Sequence, residues 1–130
     1  MGATRVGFIG VGTMGRPMAA NLVRKGFDVR LHDAMPGRAA QVAAELGCTA
    51  AAAPEDLADR EFIITMLPDG KVVQQVLLRE GEALLAALRP GTVFIDMSSS
   101  EPLLTRQTGE QLARRGLYLV DAPVSGARMR

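Results

Sequence analysis

Val6-Gly7-Phe8-Ile9-Gly10-Val11-Gly12-Thr13-Met14-Gly15 stands near the start of a 130-residue chain, and its reading decides the fold. A short apolar run passes directly into Gly-x-Gly-x-x-Gly, and Met14, Met18 and Leu22 then recur at helical spacing. The run reads as a buried strand, the glycines as a tight turn, and the segment carrying Met14, Met18 and Leu22 as a helix. Gly10 permits the turn, Gly12 has no Cβ to hold a pyrophosphate off the backbone, and Gly15 lets the helix pack closely on the strand. The free N–H groups and partial positive charge of the helix N-terminus suit a diphosphate. The bland alternative is a structural turn; a strand before the glycines and a helix after them favour a dinucleotide site.

Outward from this turn, strand and helix alternate. Strands are expected at Arg5 to Ile9, Phe27 to Leu31, Cys48 to Ala50, Phe62 to Leu67, Thr92 to Asp96 and Leu117 to Val120. Helices are expected from near Thr13 to Lys25, over Arg38 to Leu46, over Lys71 to Leu78 with Val72, Val73, Val76 and Leu77 available for burial, over Glu82 to Leu88, and from the Ser98-Ser99-Ser100 hydroxyls, as N-caps, to Arg115. A briefer helix is expected over Pro54 to Asp59. Gly26, Gly47 and Gly116 stand where helices stop. The strands read as short and apolar on both sides, each followed by a connection long enough for a crossover. That pattern is an α/β domain, residues 1–130, with a parallel sheet and helices on both faces.

Composition excludes several classes. A net charge of +1 gives no basic surface for nucleic acid or an anionic membrane, and 4% aromatics leave no base-stacking platform. No stretch approaches the roughly 20 apolar residues of a membrane helix, and no signal peptide is visible. A cytoplasmic protein is the resulting expectation. Cys48, the single cysteine, allows no intrachain disulfide and reads as a small buried hydrophobe.

Asp33 ends the second strand, 23 positions after Gly10. An acid at about that spacing can take the adenosine ribose hydroxyls and would repel a 2′-phosphate, so Asp33 favours NAD. Arg38, five residues on, could reach such a phosphate and keeps NADP open as the alternative cofactor. His32 is the sole histidine but sits at the adenosine end, so it reads as structural. Three further strand ends, Met66-Leu67-Pro68-Asp69, Asp96-Met97-Ser98-Ser99 and Asp121-Ala122-Pro123-Val124-Ser125-Gly126, arrive at the same sheet edge. In an open parallel sheet ligands bind outside the carboxyl ends of the strands, so together these ends outline a cleft.

These four segments, in this order, resemble the β-hydroxyacid dehydrogenases, the family typified by 3-hydroxyisobutyrate dehydrogenase. Gly7-Phe8-Ile9-Gly10-x-Gly12-x-Met14-Gly15-x-Pro17-Met18-Ala19-x-Asn21-Leu22 is similar to the family's N-terminal signature. Ser99 replaces the usual Thr of its Asp-x-Ser-Thr segment. The resemblance implies a Rossmann-type doubly wound sheet, incomplete at the C-terminus, with the family's helical C-terminal domain absent. It implies that Gly10, Gly12, Thr13 and Met14 line the pyrophosphate, with Gly15 also in the cofactor-binding set, and that Asp33 sits where the family chooses between cofactors. It further implies that Leu67 and Pro68 pack on the cofactor, and that Ser99 approaches the nicotinamide. Ser125 and Gly126 would hold a substrate carboxylate.

The resemblance also implies a hydride transfer at the CH–OH group of a small 3-hydroxy acid, or the reverse reduction of a semialdehyde. The family's general acid–base is a lysine on a long helix in a Gly-x-x-x-Gly-x-x-Lys segment. Neither Lys25 nor Lys71 matches it, so no catalytic residue is assigned and little turnover is expected of this chain alone. The alternatives are a semialdehyde or imine reductase, a 6-phosphogluconate dehydrogenase-like enzyme, or a non-catalytic dinucleotide-binding module pairing through its sheet edge, with a homo-oligomer as partner state.

Overall fold

A computed structural model describes residues 2–123. Six parallel strands form one sheet: β1 (Arg5–Ile9), β2 (Asp28–His32), β3 (Thr49–Ala50), β4 (Phe62–Thr65), β5 (Val93–Asp96) and β6 (Tyr118–Asp121), in the order β3-β2-β1-β4-β5-β6. Around them run α1 (Gly15–Arg24), α2 (Arg38–Leu46), a 3₁₀ turn (Pro54–Leu57), α3 (Gly70–Gln74) continued by a π-helical turn (Gln75–Arg79), α4 (Glu82–Ala87) and α5 (Pro102–Ala113). The strand order reverses between β1 and β4, whose registers pair Val6 with Phe62 and Ile9 with Thr65. This is the doubly wound α/β fold expected from the alternation.

The two-residue period of β1 divides the core. Val6 and Phe8 point to one face, where they meet Val29, Leu31, Ala19 of α1 and Val42 and Ala43 of α2. Ile9 points to the other, where Ile63, Phe94, Leu57, Val73, Leu77, Leu84 and Leu112 close a second cluster. Small residues at Ala19 and Ala43 let α1 and α2 lie close to the sheet. Glycines end the helices: Gly26 has φ +92° and follows α1, where the Phe27 N–H reaches the Leu22 carbonyl; Gly47, with φ +80°, caps α2.

Several boundaries differ from expectation. α1 begins at Gly15, because Gly12 to Met14 make the turn that aims its N-terminus. The Ser98-Ser99-Ser100 hydroxyls do not cap α5. Glu101 is its N-cap residue, with no side-chain bond, because the hydroxyls of Ser98 and Ser100 bond elsewhere. Nor are all strands apolar on both sides. β2 buries Val29 and Leu31, but Arg30, on its other face, reaches the Asp56 carbonyl and the Asp59 carboxylate; β3 and β6 are exposed edges.

The amino edge of the sheet is held by a buried cation. Arg60, 3% exposed, gives Nε and Nη2 to the Asp59 carboxylate and Nη1 to both the carbonyl and the carboxylate of Asp28. Hydrogen bonds from Arg60 hold the Asp59 carboxyl below its ordinary range. Burial alone would lower the Arg60 pKa, but the two carboxylates outweigh it and the guanidinium titrates above its usual value. No described helix is long and apolar enough to cross a membrane.

Candidate functional site

The reversal of strand order opens a cleft of about 670 Å³ at the carboxyl edge of the sheet. Its floor is backbone. Gly10 has φ +101°, and a Cβ on it would overlap the Met66 carbonyl oxygen. A Cβ on Gly15 would overlap the Gly10 carbonyl oxygen and approach Phe8 Cε1 at 3.1 Å. Gly12 differs: the sole atom within 4 Å of a Cβ there is Arg38 Nη1, at 3.1 Å. Gly10 and Gly15 are therefore required by the protein itself, whereas Gly12 keeps a surface of the cleft bare.

α1 opens onto this floor without a side-chain cap and without an acid in its first turn. Among the described residues, the N–H groups of Gly12, Thr13 and Met14 donate to no protein acceptor. Bare donors at the end of a ten-residue helix form a focus of positive potential.

Asp33 stands at the end of β2, its side chain only 8% exposed. Oδ2 accepts the Val11 N–H at 2.9 Å and Oδ1 the Met35 N–H at 2.9 Å, so the carboxylate ties the glycine turn to the loop before α2. Arg38, the first residue of α2, places Nη1 3.6 Å from Asp33 Oδ2.

The opposite wall rests on Asp96. This buried carboxylate accepts bonds from Thr65 Oγ1 (2.9 Å), the Ser98 N–H (3.0 Å) and Ser100 Oγ (3.2 Å). Ser98 Oγ in turn accepts the Leu67 N–H at 2.8 Å, which fixes the Leu67-Pro68 loop against the end of β5. Asp69 caps α3 by accepting the Val72 N–H, presenting Val72 and Val76 to the cleft.

The nine residues expected at a cofactor, Gly10, Gly12, Thr13, Met14, Gly15, Asp33, Leu67, Pro68 and Ser99, all line this one cleft. Ser125 and Gly126 lie outside the described residues. Sequence reasoning left out the lining residues Val72 and Val76, which read as core, and the Asp96–Ser98–Leu67 chain behind the wall. A buried acid two residues before a serine was the available signal for that chain. His32 lines none of the cleft; its carbonyl accepts the Gly10 N–H and extends the β1–β2 ladder. Cys48 is half-buried, and burial pushes its thiol above the ordinary value, away from a reactive thiolate. No group of three or more metal-ligating side chains occurs among the described residues.

Residues 5–130 match the family model described as the NAD binding domain of 6-phosphogluconate dehydrogenase. The chain is 41% identical over 123 residues to a probable 3-hydroxyisobutyrate dehydrogenase of Mycobacterium tuberculosis, covering 95% of this chain and 40% of that protein. It is 39% identical over 120 residues to the 3-sulfolactaldehyde reductase of Escherichia coli, covering 92% and 40%. The solved structure of M. tuberculosis 3-hydroxyisobutyrate dehydrogenase with L-serine superposes with a TM-score of 0.84 at 41% identity, over 97% of this chain and 42% of that one. The chain thus spans about two-fifths of the length of the curated relatives it matches.

Proposed function

This chain belongs to the family of NAD binding domains of 6-phosphogluconate dehydrogenase, and from that premise we propose that the cleft binds a nicotinamide dinucleotide for a β-hydroxyacid dehydrogenase. The observation that carries the reading is Gly12. The protein has no packing reason for a glycine there, whereas a pyrophosphate laid on the turn needs that face bare. The donors of Gly12, Thr13 and Met14 face the diphosphate, and the α1 dipole adds to them. Asp33 keeps lone pairs free beyond its two N–H bonds and takes the adenosine ribose hydroxyls. Val72 and Val76 give the adenine side an apolar wall. Leu67 and Pro68 pack on the cofactor toward Ser99, at the nicotinamide end, and exclude water there. Residues 1–130 act as one dinucleotide-binding unit.

When bound, the nicotinamide would supply or accept the hydride. The substrate class proposed is a small hydroxy acid or the matching semialdehyde, with Ser125 and Gly126 holding its carboxylate. The relatives named 3-hydroxyisobutyrate dehydrogenase and 3-sulfolactaldehyde reductase support that class. The proton of the alcohol needs a general acid–base. Lys25 follows α1 and Lys71 lies on α3; neither lines the cleft, so the described residues offer no candidate lysine for it. The chain alone is accordingly expected to bind cofactor and turn over little. A homo-oligomer and a cytoplasmic location belong to the same reading; light scattering tests the first.

Titration calorimetry with NADH tests the central claim. Saturable one-site binding that disappears in Gly12→Val supports it, and no heat from NADH or NADPH at millimolar concentration refutes it.

A further inference from the structure

Asp96 is a buried charge with no opposite charge beside it. The residue is 1% exposed, and its three donors, Thr65 Oγ1, the Ser98 N–H and Ser100 Oγ, are all neutral. Among the described residues no Lys, Arg or His nitrogen lies within 4 Å of its carboxylate. Arg60 and Asp33, also turned inward, are each matched: Arg60 lies between Asp59 and Asp28, and Asp33 has Arg38 Nη1 at 3.6 Å. Neutral donors satisfy the lone pairs of Asp96, but a buried charge is normally kept against an opposite charge.

Its place suggests where that charge comes from. Asp96 ends β5 directly behind the cleft wall: Ser98 holds the Leu67 loop, and Ser99, three residues on, lines the cleft. The charged residues at the neighbouring element ends are acidic too. Asp121 stands in register with Asp96 at the end of β6, Asp69 caps α3 and Glu101 precedes α5, all three exposed. Lys71, on α3, is exposed and lines none of the cleft. The opposite end carries the α1 N-terminus and Arg38. The cleft is therefore positive where a diphosphate would lie and negative where a nicotinamide would lie. An oxidised dinucleotide has the complementary pattern, an anionic diphosphate and a cationic ring; in the reduced form the ring is neutral.

We propose that Asp96 selects the oxidation state of the cofactor, its carboxylate serving as the counter-charge of the oxidised nicotinamide ring, so that the cleft holds NAD+ at least as tightly as NADH. This rests on the proposed cofactor site, with the ring at Ser99, and adds which form of the cofactor that site prefers. Opposite unit charges about 10 Å apart, at an effective dielectric of about 20, change a Kd by on the order of tenfold.

The test is calorimetry on wild type, Asp96→Asn and Ser100→Ala with NAD+, NADH and ADP-ribose, which lacks the nicotinamide. Asparagine keeps the shape and removes the charge: Oδ1 still accepts from Thr65 and Ser98, and Nδ2 can donate to Ser100 Oγ. In Asp96→Asn the NAD+ Kd rises by about tenfold, while those of NADH and ADP-ribose change by less than about threefold. Ser100→Ala removes one of the three hydrogen bonds and leaves the charge, so the ratio of NAD+ to NADH affinity stays at the wild-type value. A merely structural carboxylate would weaken NAD+ and NADH alike. Equal losses in Asp96→Asn, an unchanged NAD+ Kd, or a ratio shifted as far by Ser100→Ala overturns the proposal. So does a wild type that binds NADH more than about tenfold tighter than NAD+, and this comparison decides alone if Asp96→Asn does not keep the wild-type circular dichroism. If wild type binds none of the three ligands, the cofactor reading itself fails; binding of all three without the split removes only the role of Asp96.

Discussion

Two alanine substitutions three residues apart separate a glycine the fold needs from one a ligand needs. At Gly15 a Cβ overlaps the Gly10 carbonyl oxygen, lies 2.9 Å from the Gly10 carbonyl carbon and 3.1 Å from Phe8 Cε1. The obstruction is largely backbone, so α1 must lift away from the turn by about an ångström in an interior packed as densely as a crystal. Overpacking of this kind costs about 1–3 kcal/mol and occasionally more, and the better helix propensity of alanine returns at most about 1 kcal/mol. Because carbonyl against Cβ leaves no rotamer to adjust, a net loss of about 2–3 kcal/mol is expected, or a fall in Tm of roughly 10 °C. At Gly12 the φ angle is ordinary and the sole neighbour is the mobile end of Arg38. Gly12→Ala should leave stability within about 1 kcal/mol of wild type, with a small gain from a stiffer unfolded chain. Its cost falls on the ligand: a methyl between diphosphate and backbone should weaken NADH by about tenfold or more. Urea unfolding followed by circular dichroism reads the first quantity and calorimetry the second. If Gly12→Ala binds NADH like wild type, or unfolds as readily as Gly15→Ala, the division of roles is wrong.

Two other perturbations probe the walls and the far edge. Ser98→Ala removes the acceptor of the Leu67 N–H and should cost about 1–3 kcal/mol, read by urea unfolding, while weakening NADH through a loosened Leu67-Pro68 loop. Asp59→Asn removes a carboxylate whose folded pKa lies below 3.8, its ordinary value. Such a group adds stability above the unfolded pKa and loses it as pH falls through the folded one. Wild type should therefore exceed Asp59→Asn in stability at pH 7, and the gap should close as pH drops below about 4. A gap unchanged between pH 7 and pH 3 in parallel urea titrations would contradict that assignment.

The architecture was legible because its signals are local. The apolar run before Gly10, the helix stops at Gly26 and Gly47, and the run at Phe62 each need only a few neighbouring residues to be read. The nine cleft-lining residues were legible for a related reason, since each sits in a short motif at a strand end. The features missed are long-range. Nothing near Ser98 says that its hydroxyl serves Leu67, 31 positions away, instead of capping α5. Val72 and Val76 read as core because apolar residues on a helix usually are; that they wall a cleft depends on the chain leaving β1 and the chain leaving β4 turning to opposite sides of the sheet. Arg38 was visible as a cation near Asp33, but its position over Gly12 comes from how α2 meets the sheet.

The floor of the cleft is made of main chain pressed on main chain, Gly10 on Met66 and Gly15 on Gly10. No codon change outside the glycines themselves can recontour such a surface directly. Cofactor preference can then diversify mainly at the rim, through Asp33, Met35, Arg38, Val72 and Val76. Attempts to redesign it by directed evolution should find their improvements in those few side chains, while the glycine turn accumulates almost none.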